Sequence, residues 1–215
     1  MAFLVPASGP PSVAFVRRCL DVLAAQGFGR VITGALSPAE QQGFLEAGFG
    51  VHERLHLLVL ARSHPLPPLP PSPRLRRAGP HRRRQLLAVD AACFSPFWRL
   101  DRAGLLQVLA ATDRRRLRVA LGAGRRVGGY AICGVTAGSG YVQRIAVAPQ
   151  LQGRGIGKKL LLDGLYWLRS EGAQEVAVNT QLGNEAALAL YRRAGFQEAP
   201  SGLCVLSAGL GLGHG

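Results

Sequence analysis

Several things are missing from this chain, and each absence excludes something. No apolar run reaches the roughly 18 residues needed to cross a bilayer, so no membrane-spanning helix and no membrane partner are expected. The first residues lack the basic stretch and long apolar run of a secretory signal, which makes the cytoplasm the expected location. Cys19, Cys93, Cys133 and Cys204 lie far apart with no CxxC spacing. Buried free thiols are therefore expected, with no metal and no disulfide framework. Acidic residues are scarce, 12 against 26 lysines and arginines, for a formal charge of +14. Such an excess suits an acidic partner or nucleic acid, but also the Arg-, Ala-, Gly- and Pro-rich composition that a GC-rich genome imposes. No aromatic residues interleave with the basic runs as stacking platforms would. The compositional reading is preferred, and nucleic acid is not an expected partner. What remains, 48% hydrophobic and 18% charged over 215 residues, is a globular chain with a sizeable core.

The stretch that organises the rest runs from Tyr141 to Gly157. Val142, Ile145 and Val147 suit a strand, and Pro149 ends its ladder. Alternate glycines then lead into a helix that begins at Lys158, Lys159 and Leu160. A Gly-rich turn before a helix N-terminus leaves backbone N–H groups unpaired, and the helix dipole adds positive potential there. With Arg154, Lys158 and Lys159 beside it, the turn reads as a phosphate or pyrophosphate site. It is not a Walker loop, because Gln152 stands where the first glycine belongs and Lys159 where Ser or Thr would hold magnesium. Nor is it GxGxxG, since the glycines are spaced two and two.

Along the chain, residues 11–26 place Phe15, Cys19, Val22 and Leu23 at helical spacing behind a Ser12 cap. A short strand at 30–33, a helix from Ser37-Pro38 to about Ala47 and a strand at 53–61 follow. Residues 63–73 form a Pro-rich, polyproline-II-like connector. An edge strand at 74–78 opens the larger part. Next come helices at 80–93 and from an Asp101 cap to Leu109, then strands at 117–121, 127–135 and 141–147. A helix at 157–171, a strand at 175–180, a helix at 184–194 and a last strand at 203–207 complete it. Phe44-Leu-Glu-Ala-Gly-Phe49 and Tyr191-Arg-Arg-Ala-Gly-Phe196 match in register, which marks an internal repeat.

The loop Gln152-Gly153-Arg154-Gly155-Ile156-Gly157, the strand Arg-Ile-Ala-Val-Ala-Pro before it and the helix Asn184 to Tyr191 after it resemble the GNAT superfamily of acyl-CoA-dependent N-acyltransferases, over roughly residues 74–208. The resemblance implies an α/β fold with a mixed sheet and splayed central strands. Residues 74–215 would form the complete domain, and 63–73 a linker. The repeat makes residues 1–62 a degenerate partial αβαβ unit that lacks the Gly-rich loop and carries Phe44 in place of the tyrosine, and so should not bind CoA.

The implied activity is direct transfer of an acetyl group from acetyl-CoA, as co-substrate, to a primary amine on a small molecule or a peptide N-terminus. A catalytically inactive CoA-binding protein stays open as the alternative, as do a homodimer and the length of the acyl chain. By position, the backbone of Ile145, Ala146 and Val147 would hold the pantetheine arm, and the N–H groups from Gln152 to Lys158 the pyrophosphate. Asn184 would bond the cofactor arm, unless it only caps its helix. Tyr191 would protonate the departing thiolate, unless it is only core. No carboxylate stands where relatives place a general base. Gln143-Arg144 and Val178-Asn179-Thr180 occupy those positions, so Asn179, or Gln143, would orient a water, while Asp90 and the histidines have no support. A missing base favours an α-amine over the more basic lysine side chain. Phe94, Phe97 and Trp98 would line the acceptor wall, or else form a hydrophobic corner. The run Cys93-Phe94-Ser95-Pro96-Phe97-Trp98 is similar to enzymes that acetylate ribosomal-protein N-termini.

Overall fold

The computed structural model describes residues 1–6, 9–71 and 74–210. The last two connector residues and the final five of the chain therefore lie outside the described residues. Two compact units interleave along the chain instead of meeting at the connector. The first comprises 1–57, 179–185 and the segment from 198 onward; the second comprises 58–178 and 186–197.

In the first unit, β1 (Ala2–Leu4) leads to α1 (Val13–Ala25), β2 (Arg30–Leu36), α2 (Pro38–Glu46) and the beginning of β3 (Gly50–Ala61). β1 runs parallel to β2, pairing Ala2 with Val31 and Leu4 with Thr33. The final strand β10 (Leu203–Gly209) lies antiparallel to both β2 and β3. Strand β1 has no counterpart among the sequence expectations, since three residues are too few for a periodic signal. Helix α1 starts where expected, with the Ser12 hydroxyl accepting the Phe15 N–H at 3.3 Å. Its buried face differs from the expectation. Val16, with Leu20 and Leu23 beside it, packs against Val31, Leu36, Phe44 and Leu206, while Phe15 and Val22 are exposed. Apolar residues surround this helix, so periodicity alone supports either stripe and only packing decides.

The second unit carries β4 (Leu75–Arg77), α3 (Arg83–Cys93), α4 (Arg102–Ala110), β5 (Arg114–Leu121), β6 (Val127–Thr136), β7 (Ser139–Val147), α5 (Ile156–Ser170), most of β8 (Glu175–Gln181) and most of α6 (Glu185–Arg193), with a two-residue β9 (Gln197–Glu198) at its exit. Its strands lie in the order β8-β7-β6-β5-β4. The first three residues of the α3 segment, Pro80–Arg82, form a 3₁₀ turn. Asp101 caps α4 through Gly104 N–H at 2.7 Å. One face of the sheet buries Leu161, Leu165 and Leu168 of α5 with Leu188 and Tyr191 of α6. The other buries Leu86 and Val89 of α3 and Leu105 of α4. Gly164 brings α5 close to β6, for a Cβ there would stand 2.5 Å from Cys133 Sγ.

The connector is a strap along α5. Arg169 donates to the His64 carbonyl, Tyr166 to that of Pro67 at 3.3 Å and Lys159 to that of Pro70. Those carbonyls recur every three residues, which is the polyproline-II period. All four cysteines are free; Cys133 and Cys204 are buried, whereas Cys19 and Cys93 are only partly so, a departure from the expected burial.

Candidate active site

The site grows from an irregularity in β7. Across the β6 ladder Ile132 pairs with Arg144 and Cys133 with Val142, so Gln143 is an extra residue. A bulge of this kind bends a strand and raises its twist. On its other edge β7 pairs with β8 in parallel only over Ser139–Tyr141 against Glu175–Ala177. Beyond the bulge that edge is open, and this is the expected splay. Ala148 donates to Gly128 across to β6 at 2.9 Å. Strand residues alternate the side to which their peptide groups turn, so Val147 and Ile145 face the open edge and Ala146 faces β6. The Val147 carbonyl takes the Gln152 side-chain amide at 3.0 Å and the Cys93 thiol at 3.2 Å. The Gln152 side chain thus folds back onto the strand.

After a 3₁₀ turn at Pro149–Leu151, Gly153 and Gly155 adopt φ +74° and +73°, with nothing within 4 Å of where a Cβ would stand. Gly155 is the N-cap of α5, and the first intrahelical bond is Lys159 N–H to its carbonyl at 3.0 Å. The N–H groups of Ile156, Gly157 and Lys158 therefore have no carbonyl within the helix and point outward from its positive end. Arg154 and Lys158 are exposed beside them. A cradle of open N–H groups with no Cβ in the way, flanked by two cations, fits a pyrophosphate. A Cβ on Gly157 would lie 3.5 Å from Leu190 Cδ2 and 3.8 Å from Val147 Cγ2, so the strand end, the helix start and α6 converge there.

Tyr191, next to Leu190, is 3% exposed, with its ring 5.7 Å from that of Phe196. Burial first, and the neighbouring Cys133 second, push its hydroxyl above the ordinary phenol range, so it stays protonated. Asn184 immediately precedes α6, its N–H bonded to Gln181 O at 3.0 Å, and Asn179 is exposed on β8. Both asparagines belong to the first unit.

The bulge turns the side chains of Gln143 and Arg144 to the α3–α4 face. Gln143 Nε2 donates to Val108 O at 3.1 Å, and its Oε1 is buried without a partner among the described residues. Arg144 reaches Asp90 on α3, Nε to Oδ2 at 2.9 Å, and lies 3.5 Å from the centre of the Phe94 ring. It also donates to Trp98 O. Asp90, 0% exposed, further accepts the Leu100 N–H at 2.7 Å and the Tyr130 hydroxyl. With three donors on its carboxylate, Asp90 is a fastener and not a free base. This network ties the loop carrying Phe94, Phe97 and Trp98 to the bulged strand. All three aromatics are half-buried, Phe97 and Trp98 edge to face at 5.0 Å. The network joins residues too far apart in the chain to be read from it, although an acid at position 90 within the apolar stripe Leu86, Val89 and Cys93 signals a buried cationic partner.

The chain belongs to the acetyltransferase (GNAT) family, whose profile matches residues 84–196. Mycothiol acetyltransferase of Tsukamurella paurometabola is 30% identical, over 90% of this chain and 77% of that protein. N-alpha-acetyltransferase 30 of Schizosaccharomyces pombe is 39% identical, over 26% of this chain and 38% of its own length. The matched stretches thus span well under two thirds of several relatives, for example 19% of the mycothiol acetyltransferase of Rhodococcus jostii. Among solved structures, a tandem GNAT protein from the clavulanic acid biosynthesis pathway aligns with TM-score 0.69 at 15% identity, over 92% of this chain and 69% of that one. A GCN5-related N-acetyltransferase from Kribbella flavida aligns at 0.65 and 15%, over 95% and 80%. These likenesses are of fold alone.

Proposed function

We propose that the protein is an acetyl-CoA-dependent N-acetyltransferase that acts by direct transfer on a primary amine, with a peptide α-amine as the preferred acceptor. The observation that carries this reading is the open edge of β7 running straight into the cradle at the start of α5. The free peptide groups of Ile145 and the Val147 N–H bind an amide-bearing arm as an added strand would, and the N–H groups of residues 153–158 bind the pyrophosphate, the expected Gln152 N–H being taken by the Pro149 carbonyl at 3.2 Å. When bound, acetyl-CoA supplies the acyl group as an activated thioester. Tyr191, neutral and shielded, donates a proton at the leaving sulfur. Asn184 bonds the cofactor arm, and Asn179 orients the water that receives the proton of the attacking amine.

The acceptor preference rests on what surrounds the bulge. Arg144 is cationic and Asp90 is fully engaged, so a permanently protonated amine gains nothing there. An α-amine, with a pKa near 8, is partly neutral at working pH, unlike a lysine near 10.4. The test is release of CoA thiol from acetyl-CoA with two peptides, one with a free N-terminus and no lysine, the other N-blocked with one lysine. The expected result is a kcat/KM about tenfold or more higher for the first. Equal rates would overturn the α-amine assignment. Binding of acetyl-CoA without transfer to any amine would return the protein to the inactive CoA-binding reading, which the absence of a carboxylate at Gln143 and Arg144 favours.

A further inference from the structure

The charge of +14 is not spread over the chain. Of the 26 lysines and arginines, 22 lie in the second unit with six of the 12 acids, so that unit carries +16 and the first carries −2. A codon bias acts along a whole gene and would load both units alike. The segregation therefore reverses the preference for a compositional origin. The phosphate cradle accounts for only Arg154 and Lys158, and Lys159 is engaged by the Pro70 carbonyl.

Much of the remaining charge gathers at one edge of the second unit. Arg76 and Arg77 lie on the outermost strand β4, paired with Val119 and Arg118 of β5. Arg83 and Arg84 open α3, and Arg125 and Arg126 lie in the turn between β5 and β6. Arg82 Nη1 donates to the Arg125 carbonyl at 3.1 Å and Val127 N–H to Gln85 Oε1 at 3.0 Å, which holds the turn against the start of α3. The sequence has no acid between Glu53 and Asp90, nor between Asp113 and Asp163. Among the described residues none of the six forms an ion pair. By contrast, Arg116 and Arg118 are held by Asp163; Arg77, paired with Arg118, shares that face of the sheet, whereas Arg76, paired with Val119, lies on the α3 face.

We propose that this edge docks double-helical nucleic acid through its phosphates. Arginine forks are matched to phosphate oxygens, and a row of unpaired cations gains by releasing the counterions of a duplex. A single strand would need stacking platforms, and no Phe, Tyr or Trp lies on this edge. A bilayer would need an apolar anchor, and none of the exposed large hydrophobics lies on β4, α3 or the turn. The surface reads shape and charge, without regard to base sequence.

The test is anisotropy of the full chain with a short labelled duplex, the matching single strand and anionic phosphatidylserine vesicles, between about 50 and 200 mM salt. Duplex binding should weaken steeply with salt. The triple variant Arg76→Gln, Arg84→Gln, Arg126→Gln, all exposed positions, should lower the log–log salt slope by roughly 2 to 3 with an unchanged melting temperature. Arg17→Gln with Arg18→Gln, in the first unit, should leave it unchanged. The proposal would be overturned by no duplex binding by the wild type at low salt, by equal weakening in the first-unit variant, or by binding to vesicles but not to duplex. This surface is independent of the acyl-transfer reading. If the triple variant lost an acetyl-CoA melting shift along with duplex binding, the arginines would belong to the cofactor phosphates and the proposal would fall.

Discussion

Helix α2 in the first unit and α6 in the second end in the same way. In α2 the Phe49 N–H returns to the Phe44 carbonyl at 3.0 Å and Gly48 sits at φ +95°; in α6 the Phe196 N–H returns to Tyr191 at 3.1 Å and Gly195 sits at φ +96°. Both ends also pack an aromatic pair, centroids 5.1 Å apart in the first and 5.7 Å in the second. The strands that lead into each repeat agree as well, β1 parallel to β2 and β7 parallel to β8, so the repeat includes one strand more than the αβαβ order expected of residues 1–62. The differences lie in two places. Before α1 stand Pro10 and Pro11, which have no N–H to offer, and Ser12, which spends its hydroxyl on the cap; before α5 stand Gly153 and Gly155, and its first turn, with Gly157, presents open N–H groups. Phe44 has no hydroxyl where Tyr191 has one. The same packing frame is kept in both units, and the proposed chemistry is assigned to a turn and one oxygen atom.

That comparison can be tested from its largest consequence downward. Tyr191→Phe should lower kcat by roughly 10²- to 10⁴-fold with KM for acetyl-CoA little changed, while Phe44→Tyr should leave steady-state rates untouched. A Tyr191→Phe enzyme with wild-type kcat would remove the acid from the mechanism.

Buried polar fasteners differ next. Asp90→Ala strands the Arg144 guanidinium, 11% exposed, and should cost about 3–5 kcal/mol by denaturant unfolding. In the first unit, Thr33→Val strands the Leu206 N–H, now bonded to Oγ1 at 2.9 Å, and removes the hydroxyl donor of the Gly34 carbonyl at 2.8 Å, with no charge left unpaired, for about 1–3 kcal/mol. Equal losses would show that the ion pair is no more than a neutral bond.

The glycine stops come third. Gly48→Ala should cost about 1–2 kcal/mol for the left-handed conformation alone. Gly195→Ala should cost a similar amount, because what its Cβ would meet, the ring of the exposed His64, can swing aside.

The smallest effect concerns alkaline pH. Burial raises the hydroxyls of Tyr130, which also bonds Asp90, and of Tyr191 above the ordinary phenol value near 10. A raised folded-state pKa gives stability that is full below that value and lost as pH rises past it. The melting temperature should therefore decline above about pH 10, less steeply in Tyr191→Phe. A profile identical to wild type would contradict this.

Much of the second unit was legible because its signals are local. The glycines at 153, 155 and 157, the Asp101 cap and the Leu161–Leu168 stripe each act over a few residues. The unread features depend on distant partners. Nothing in the sequence around Gln143 marks it as the bulged residue, since the bulge is defined by the register of β6. Arg144 looks like a misplaced charge until Asp90 on another element is known. In α1 the apolar residues on every side left the buried stripe undetermined, and packing chose Val16 over Phe15. The charge asymmetry was invisible because the units are not contiguous in the chain.

The most direct measurement is a thermal-melt series of wild type and Gly155→Glu with acetyl-CoA, CoA and ATP. A ligand that binds only the folded state raises the melting temperature by mass action. The account predicts that acetyl-CoA and CoA stabilise the wild type, that ATP does little, and that the folded variant responds to neither CoA species. A wild type that shifts with neither acetyl-CoA nor CoA would contradict it.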